Sequence, residues 1–435
     1  SLMNAMEFMN DEYASWVIII TGFGIKFLFQ RAGKVRHPLN KEQMLSFDGP
    51  ELFWTLTFST GLLALSAPGA LDLMAIRLLV LECLCLIGLF VVKRRPVWSA
   101  VSIFYLLYIA WLLIGLSYSP APSYGFRVIL KYLYPLCIML FASAVVRDGE
   151  VFLKAGLCAR WVAVVCLIFF IVPGINILVP GVFWYSTACA IHFIPICIFS
   201  LALYFYGRKN KKDLLYAVIF AMPCFLWVFR TSIMGTILAA MTFFYFRYRM
   251  KSLPIIIGIM LLSVIAVFTI PSLKEKMFKN GDVTIEQLQE GKISKDNINS
   301  NARFAMWEHL QNRFYTNKQL QGSGTGSVQN YMYTHRIFGG LKVPHSDYIQ
   351  MLCDNGIIAV VIYILIGITL IIHTLSVYNH TYSSVVQLCA ITAGSSMAGL
   401  LLTLYSDNVV NYSMATLSMP FGFYGMMLGL NKQDK

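Results

Sequence analysis

The chain has 435 residues, of which 58% are hydrophobic and only 13% charged, where a soluble domain carries about a quarter charged residues. With a mean hydropathy of +0.67 and apolar runs of membrane-spanning length from end to end, the composition excludes a string of soluble domains. Runs such as 255–270 do not alternate apolar and polar residues, which excludes a transmembrane barrel. The net charge of +13 sits mostly in short loops between apolar stretches. It reads as membrane orientation, and no nucleic-acid partner is expected.

In chain order, apolar segments predict helices near 14–30, 51–68, 71–92, 97–117, 128–146, 155–174, 188–206, 214–229, 231–246, 253–270, 356–375, 384–405 and 414–430. The expected fold is all-α: a polytopic membrane bundle of about 12–13 transmembrane helices, with membrane lipids as its surroundings. The N-terminal stretch carries Glu7, Asp11 and Glu12 with no early basic residue, so no cleavable signal peptide is expected. The basic loops around Arg31–Arg36, Lys93–Arg95, Arg208–Lys212 and Arg247–Lys251 alternate so as to share one face, which the charge rule makes cytoplasmic. The opposite face receives the long polar segment 271–346. The chain thus divides into N-terminal membrane helices (1–270), this large and partly helical outer loop domain (271–346), and C-terminal membrane helices (347–435). All ten cysteines lie in or beside apolar stretches, so neither a disulfide framework nor a cysteine metal site is expected.

Four places could carry chemistry. Residues 214–246 number too few for two full spans, so the hairpin at Phe229-Arg230-Thr231-Ser232 should sit below the outer membrane surface. An arginine there either snorkels or pairs with a backbone carbonyl, or else it forms an anion site. Arg303 and Trp307, at i and i+4, share one helix face. Either that face is simply solvated, or the aromatic shelters a guanidinium that grips an anion. The run Gly322-Ser323-Gly324-Thr325-Gly326 is a flexible turn or an anion nest of successive N–H groups. His345, in Val343-Pro344-His345-Ser346-Asp347, lies where the polar segment re-enters the membrane, with Asp347 beside it. It is either structural or a general base suited to neutral pH. No His or carboxylate cluster at ligand spacing suggests a metal, and no cofactor is expected.

Taken together, Arg230-Thr231-Ser232, then Asn301-Ala302-Arg303 with Trp307, then Gly322-Ser323-Gly324, and finally His345 through Asp347-Tyr348-Ile349 to Asp354 and Gly356-Ile357 resemble the O-antigen ligase and polymerase superfamily of bacterial surface-glycan assembly. The resemblance covers about 215–375. It departs from the family pattern at Ala302 for the usual Gly, Ser346 for a common Asn and Asp354 for a common Glu.

What the resemblance implies is a multi-pass enzyme of the bacterial inner membrane whose active site faces the periplasm. The donor would be a glycan on undecaprenyl diphosphate, and the acceptor either lipid A–core (a ligase) or another lipid-linked repeat unit (a polymerase). On this reading Arg230 and Arg303 bind the diphosphate, with Arg127 and Lys131 as helpers. His345 is the catalytic base, and Trp307, Gly322, Gly324 and Asp347 support the site. Transfer would be inverting and metal-independent. Two other classes stay open: a lipid-linked oligosaccharide flippase, with which Arg77, Lys131 and Arg160 are compatible, and a non-catalytic membrane scaffold.

Overall fold

The computed structural model describes residues 35–40, 42–46, 73–171, 187–207, 209–226, 228–278, 287, 303–336, 338 and 341–432. The expected spans at 14–30 and 51–68 lie outside the described residues. The protein is all-α. A two-residue antiparallel pair, β1 (Val35–Arg36) with β2 (Met44–Leu45), precedes the helices. They follow as α1 (Leu73–Val92), α2 (Ala100–Ser117), α3 (Pro122–Val145), α4 (Gly149–Ile171), α5 (Thr187–Tyr206), α6 (Lys211–Leu226) and α7 (Arg230–Tyr248). A 3₁₀ turn, Arg249–Ser252, leads to α8 (Leu253–Thr269) and the short α9 (Pro271–Met277). Among the described residues two more helices lie within the polar segment that α9 opens, α10 (Arg303–Phe314) and α11 (Ser327–His335). The chain closes with α12 (Asp347–His380), α13 (Ser384–Ser406) and α14 (Val409–Asn431).

Among the described residues, five helical stretches are long and apolar enough to cross a membrane: Ala100–Ser117, Pro122–Val145, Arg230–Thr269, Asp347–His380 and Ser384–Ser406. The protein is therefore a multi-pass membrane protein. Helix starts follow local chemistry. Pro122 opens α3 at a position where its missing N–H costs nothing. The Ser346 hydroxyl accepts from Ile349 N (3.2 Å) to start α12. Helix α12 is kinked at Gly356, whose φ is 74°. A side chain there would collide with the Leu320 carbonyl.

The core is built around α13, whose small residues let neighbours approach closely. The Gly399 backbone meets Gly235 of α7, and Gly394 sits against Thr374 of α12 and Phe246 of α7. In a membrane, where lipid tails are as apolar as leucine, such close backbone packing is a main source of helix association. Helix α8 differs in having no buried residue at all. A second, smaller core joins the polar segment to α12. Met306, Trp307 and Leu310 of α10 and Val328, Tyr331 and Met332 of α11 pack with Cys353. This fastens the segment over the kinked start of α12.

Candidate functional site

The turn between α6 and α7 is strained. Val228, a β-branched residue, adopts φ 55°, which is costly for a side chain branched at Cβ. This turn starts α7 at Arg230, and the Arg230 guanidinium donates to the Lys276 carbonyl in the last turn of α9 (2.7 Å). Arg303, the first residue of α10, donates from Nη1 to the Ser406 carbonyl at the end of α13 (2.5 Å). The two guanidinium groups lie close enough to act on each other electrostatically. Each donates to a backbone carbonyl, which fixes where its guanidinium lies.

One short segment gathers the rest. Ser406-Asp407-Asn408, the link from α13 to α14, receives Arg303 through the Ser406 carbonyl and Thr231 through the Ser406 hydroxyl (2.9 Å). Asp407 Oδ1 lies 3.4 Å from His345 Nδ1. The Asn408 amide accepts from Ser346 N (3.1 Å) and donates to Asp347 Oδ1 (3.1 Å) and Gln350 Oε1 (3.2 Å). Asp347 N in turn donates to the Asp407 carbonyl (3.2 Å). Asp407 and Asn408 are buried, whereas the His345 side chain keeps 25% of its surface exposed. His345 itself is held at φ 52°, and residues in such sparsely populated conformations cluster at functional sites.

The carboxylate that touches the histidine is thus Asp407, sixty-two residues away in sequence. Asp347, placed beside His345 by the sequence, instead accepts from Asn408 Nδ2 and Val410 N (3.1 Å) and caps the start of α14. Trp307 does not cover a guanidinium. Its indole N–H donates to the Pro344 carbonyl (2.6 Å), and its ring meets Tyr405 edge-on at 5.6 Å. It therefore pins the peptide that precedes His345 and the residue that precedes Ser406. Asp407 was missed because a polar triplet between two apolar spans is an ordinary loop signal. Only its contact with His345 sets it apart.

The glycine run forms a latch away from this cluster. Gly326 N and Val328 N donate to the two carboxylate oxygens of Asp354 (3.0 and 2.8 Å), and Gly324 N donates to its carbonyl (2.7 Å). Thr325 reaches Asn355 and the Leu112 carbonyl of α2. Gly322, Gly324 and Gly326 all have positive φ, and a Cβ on any of them would strike backbone. The anion in this nest is the chain's own Asp354. Arg127 lies at the neighbouring junction of α3 and α11, its guanidinium 5.7 Å over Tyr124, which meets Tyr333 at 5.7 Å. Lys131 lies one helical turn further into α3 and is half-buried.

The cluster brings Arg230, Arg303 and His345 to one end of α7, α10, α12 and α13. It pairs two cations with a histidine whose ring is oriented by a carboxylate. Such a set can bind a doubly charged anion and remove a proton from a group beside it. No curated protein matches the chain. Residues 215–364, about a third of the sequence, match the family model described as O-antigen ligase. The match runs from α6 through the first half of α12, so it includes Arg230, Arg303 and His345 but stops short of Asp407. It supports placing the chain in the O-antigen ligase superfamily.

Proposed function

We propose, from the O-antigen ligase domain over residues 215–364 together with the cluster on Ser406–Asn408, that this protein is a membrane glycosyltransferase of ligase type. It moves a glycan from undecaprenyl diphosphate to an acceptor hydroxyl, with lipid A–core as the acceptor, at the periplasmic face of the bacterial inner membrane. The observation that carries the reading is the shared anchoring of Arg303 and His345 on one three-residue segment. An anion binder and a proton acceptor need such an anchor to stay in register through a reaction.

In this mechanism Arg230 and Arg303 bind the diphosphate of the donor, and the planar guanidinium fork suits its oxygens. Asp407 on Nδ1 holds the imidazole so that Nε2 faces the acceptor. The acceptor hydroxyl gives its proton to Nε2 as its oxygen forms a bond to the anomeric carbon. The bond from that carbon to the diphosphate oxygen breaks, and undecaprenyl diphosphate leaves with its added charge shared between the two arginines. Direct displacement inverts the anomeric configuration. Because the leaving group is already a good one and the cations are supplied by the protein, the step runs without a metal.

The test uses purified full-length protein in detergent or vesicles, with labelled lipid-linked glycan as donor and no nucleotide or ion gradient. Transfer to added lipid A–core supports the ligase reading. Chains that lengthen from donor alone would assign the same site to a polymerase. Movement of donor across a vesicle membrane without any transfer would make the protein a flippase and remove the proposal.

A further inference from the structure

The end of α7 away from Arg230 carries a second arginine pair that the proposed reaction leaves unused. Arg247 lies seventeen residues along the helix, which at 1.5 Å per residue is about 26 Å away. That is close to the thickness of a bilayer's hydrocarbon core, about 30 Å. A group at this depth belongs to the opposite membrane surface from the candidate site. Both Arg247 and Arg249 lie against aromatic rings. The Arg247 guanidinium is 4.8 Å from the centre of Phe205, 5.0 Å from Tyr206 and 5.4 Å from Tyr248. The Arg249 guanidinium is 5.8 Å from Tyr245 and 5.7 Å from Tyr378. The Tyr206 and Tyr378 hydroxyls hydrogen-bond to each other, so the two arginines flank one tyrosine pair.

Their charges meet tyrosines and no carboxylate among the described residues, with Arg247 also in hydrogen-bond reach of the Tyr206 and Tyr248 hydroxyls. Arg160, which also stacks on a tyrosine (Tyr216, 4.4 Å), has Asp213 at 2.6 Å. Among the described residues neither Arg247 nor Arg249 has such a carboxylate, and Arg247 Nε and Arg249 Nη2 are buried donors without a hydrogen-bond acceptor. Buried donors left open in this way are costly. A guanidinium stacked on a ring still offers its N–H edge to a planar oxyanion. The backbone holds Arg249 at φ 53°, at the corner where α7 gives way to the 3₁₀ turn. Beyond that corner Met250 is exposed, and α8 begins its run without a buried residue. A cationic corner therefore adjoins an apolar helix that is open along its whole length.

We infer that Arg247 and Arg249, on the Tyr206–Tyr378 wall, bind a phosphate group: the phosphodiester headgroup of an anionic phospholipid whose acyl chains lie along α8. The paired cations without a carboxylate call for an anion. The adjoining apolar helix favours one that carries its own hydrocarbon over a soluble phosphate. Such a lipid would tie together the inner ends of α5, α7 and α12.

The experiment is a thermal melt of the purified full-length protein in neutral detergent. Phosphatidylglycerol, phosphatidylcholine or inorganic phosphate is added in turn. The expected result is a saturable rise in the melting midpoint with phosphatidylglycerol and none with phosphatidylcholine. Arg249→Gln and Arg247→Gln should each lose at least half of that rise, while Lys251→Gln keeps it. A rise with inorganic phosphate but none with the lipid would overturn the lipid assignment. An equal rise with phosphatidylcholine, or an undiminished rise in both Gln variants, would overturn the site. If a Gln variant does not fold, native mass spectrometry of the wild type serves instead. Retention of phosphatidylglycerol and phosphatidylcholine in equal numbers would sink the proposal.

Discussion

Two carboxylates of α12, Asp347 and Asp354, lie seven residues apart and perform the same local task with different results. Each is buried and each accepts a backbone N–H at the start of another helix: Asp347 from Val410 of α14, Asp354 from Gly326 and Val328 of α11. A carboxylate at a helix start satisfies orphan N–H groups and meets the positive end of the helix dipole. Around Asp354 the arrangement is closed. Glycines at positive φ press directly on backbone, and the side chains of Thr325 and Asn355 bond to each other. Around Asp347 the same clamp draws in Asp407, Asn408 and the strained His345, and leaves the imidazole partly exposed. One clamp ends in structure. The other ends in groups able to act on a ligand.

The largest effect should come from the arginines. Arg303→Ala and Arg230→Ala should each abolish transfer from lipid-linked donor while the protein still purifies as a folded species. The Lys variants should recover only part of the activity, because an ammonium lacks the two-pronged donor edge. Full transfer by both Ala variants would dissolve the distinction between the two clamps.

Next in size is His345→Ala. Loss of a general base costs about 10²- to 10⁴-fold in rate, and binding of labelled donor should persist because the arginines remain. An Ala variant within a few-fold of wild type would return His345 to a structural role.

A smaller loss is expected for Asp407→Asn, which keeps the shape but not the charge that orients the ring. We expect kcat to fall by about tenfold or more with donor affinity unchanged. A fall in donor affinity with kcat preserved would show that Asp407 supports binding and does not position the base.

At the closed clamp the expected loss is in stability. Asp354→Asn replaces a carboxyl group that accepts an N–H on each oxygen by an amide that can accept on only one. It should destabilise the fold by about 1–3 kcal/mol, read as a lower melting midpoint, while transfer per folded molecule stays near wild type. Loss of transfer without loss of stability would move the latch into the reaction. The smallest expected effect is that of EDTA, which should leave transfer unchanged. Strict dependence on added Mg²⁺ would require a metal site that includes Asp347 or Asp407.

Much of the helix layout was legible because apolar runs of membrane length leave few alternatives. The starts were less so: α3 begins at Pro122 and α12 at Asp347, six and nine residues ahead of the spans read at 128–146 and 356–375, because their first turns are polar and lie outside the apolar runs. Arg230, Arg303 and His345 were legible as candidates from residue type, from position at the ends of apolar spans, and from the order in which their surrounding motifs appear. Their partners were not. A sequence gives local neighbours, and Asp347 is a local neighbour of His345. It cannot give the crossing of α13 and α14 over α12 that brings Asp407 to the imidazole. Helix spacing left Trp307 open between a solvated face and a shelter for Arg303, and its N–H is in fact spent on Pro344. Spacing puts two side chains on one face but does not say what else comes to that face.

The sequence by itself determined that this chain lies in a membrane as helices, because 58% hydrophobic composition in long unalternated runs has no other stable state in lipid or water. It also determined which charged residues lie at the ends of those runs, since burial of a charge in hydrocarbon is too costly to be left to chance. Only the tertiary structure decided which of those charges meet. Pairing of Arg303 with the Ser406 carbonyl and of His345 with Asp407 spans 103 and 62 residues. Contacts at such separations are set by helix packing. The close approach of α13 to α7 through Gly399 and Gly235 helps fix where α13 ends, and therefore where the segment that joins the site begins.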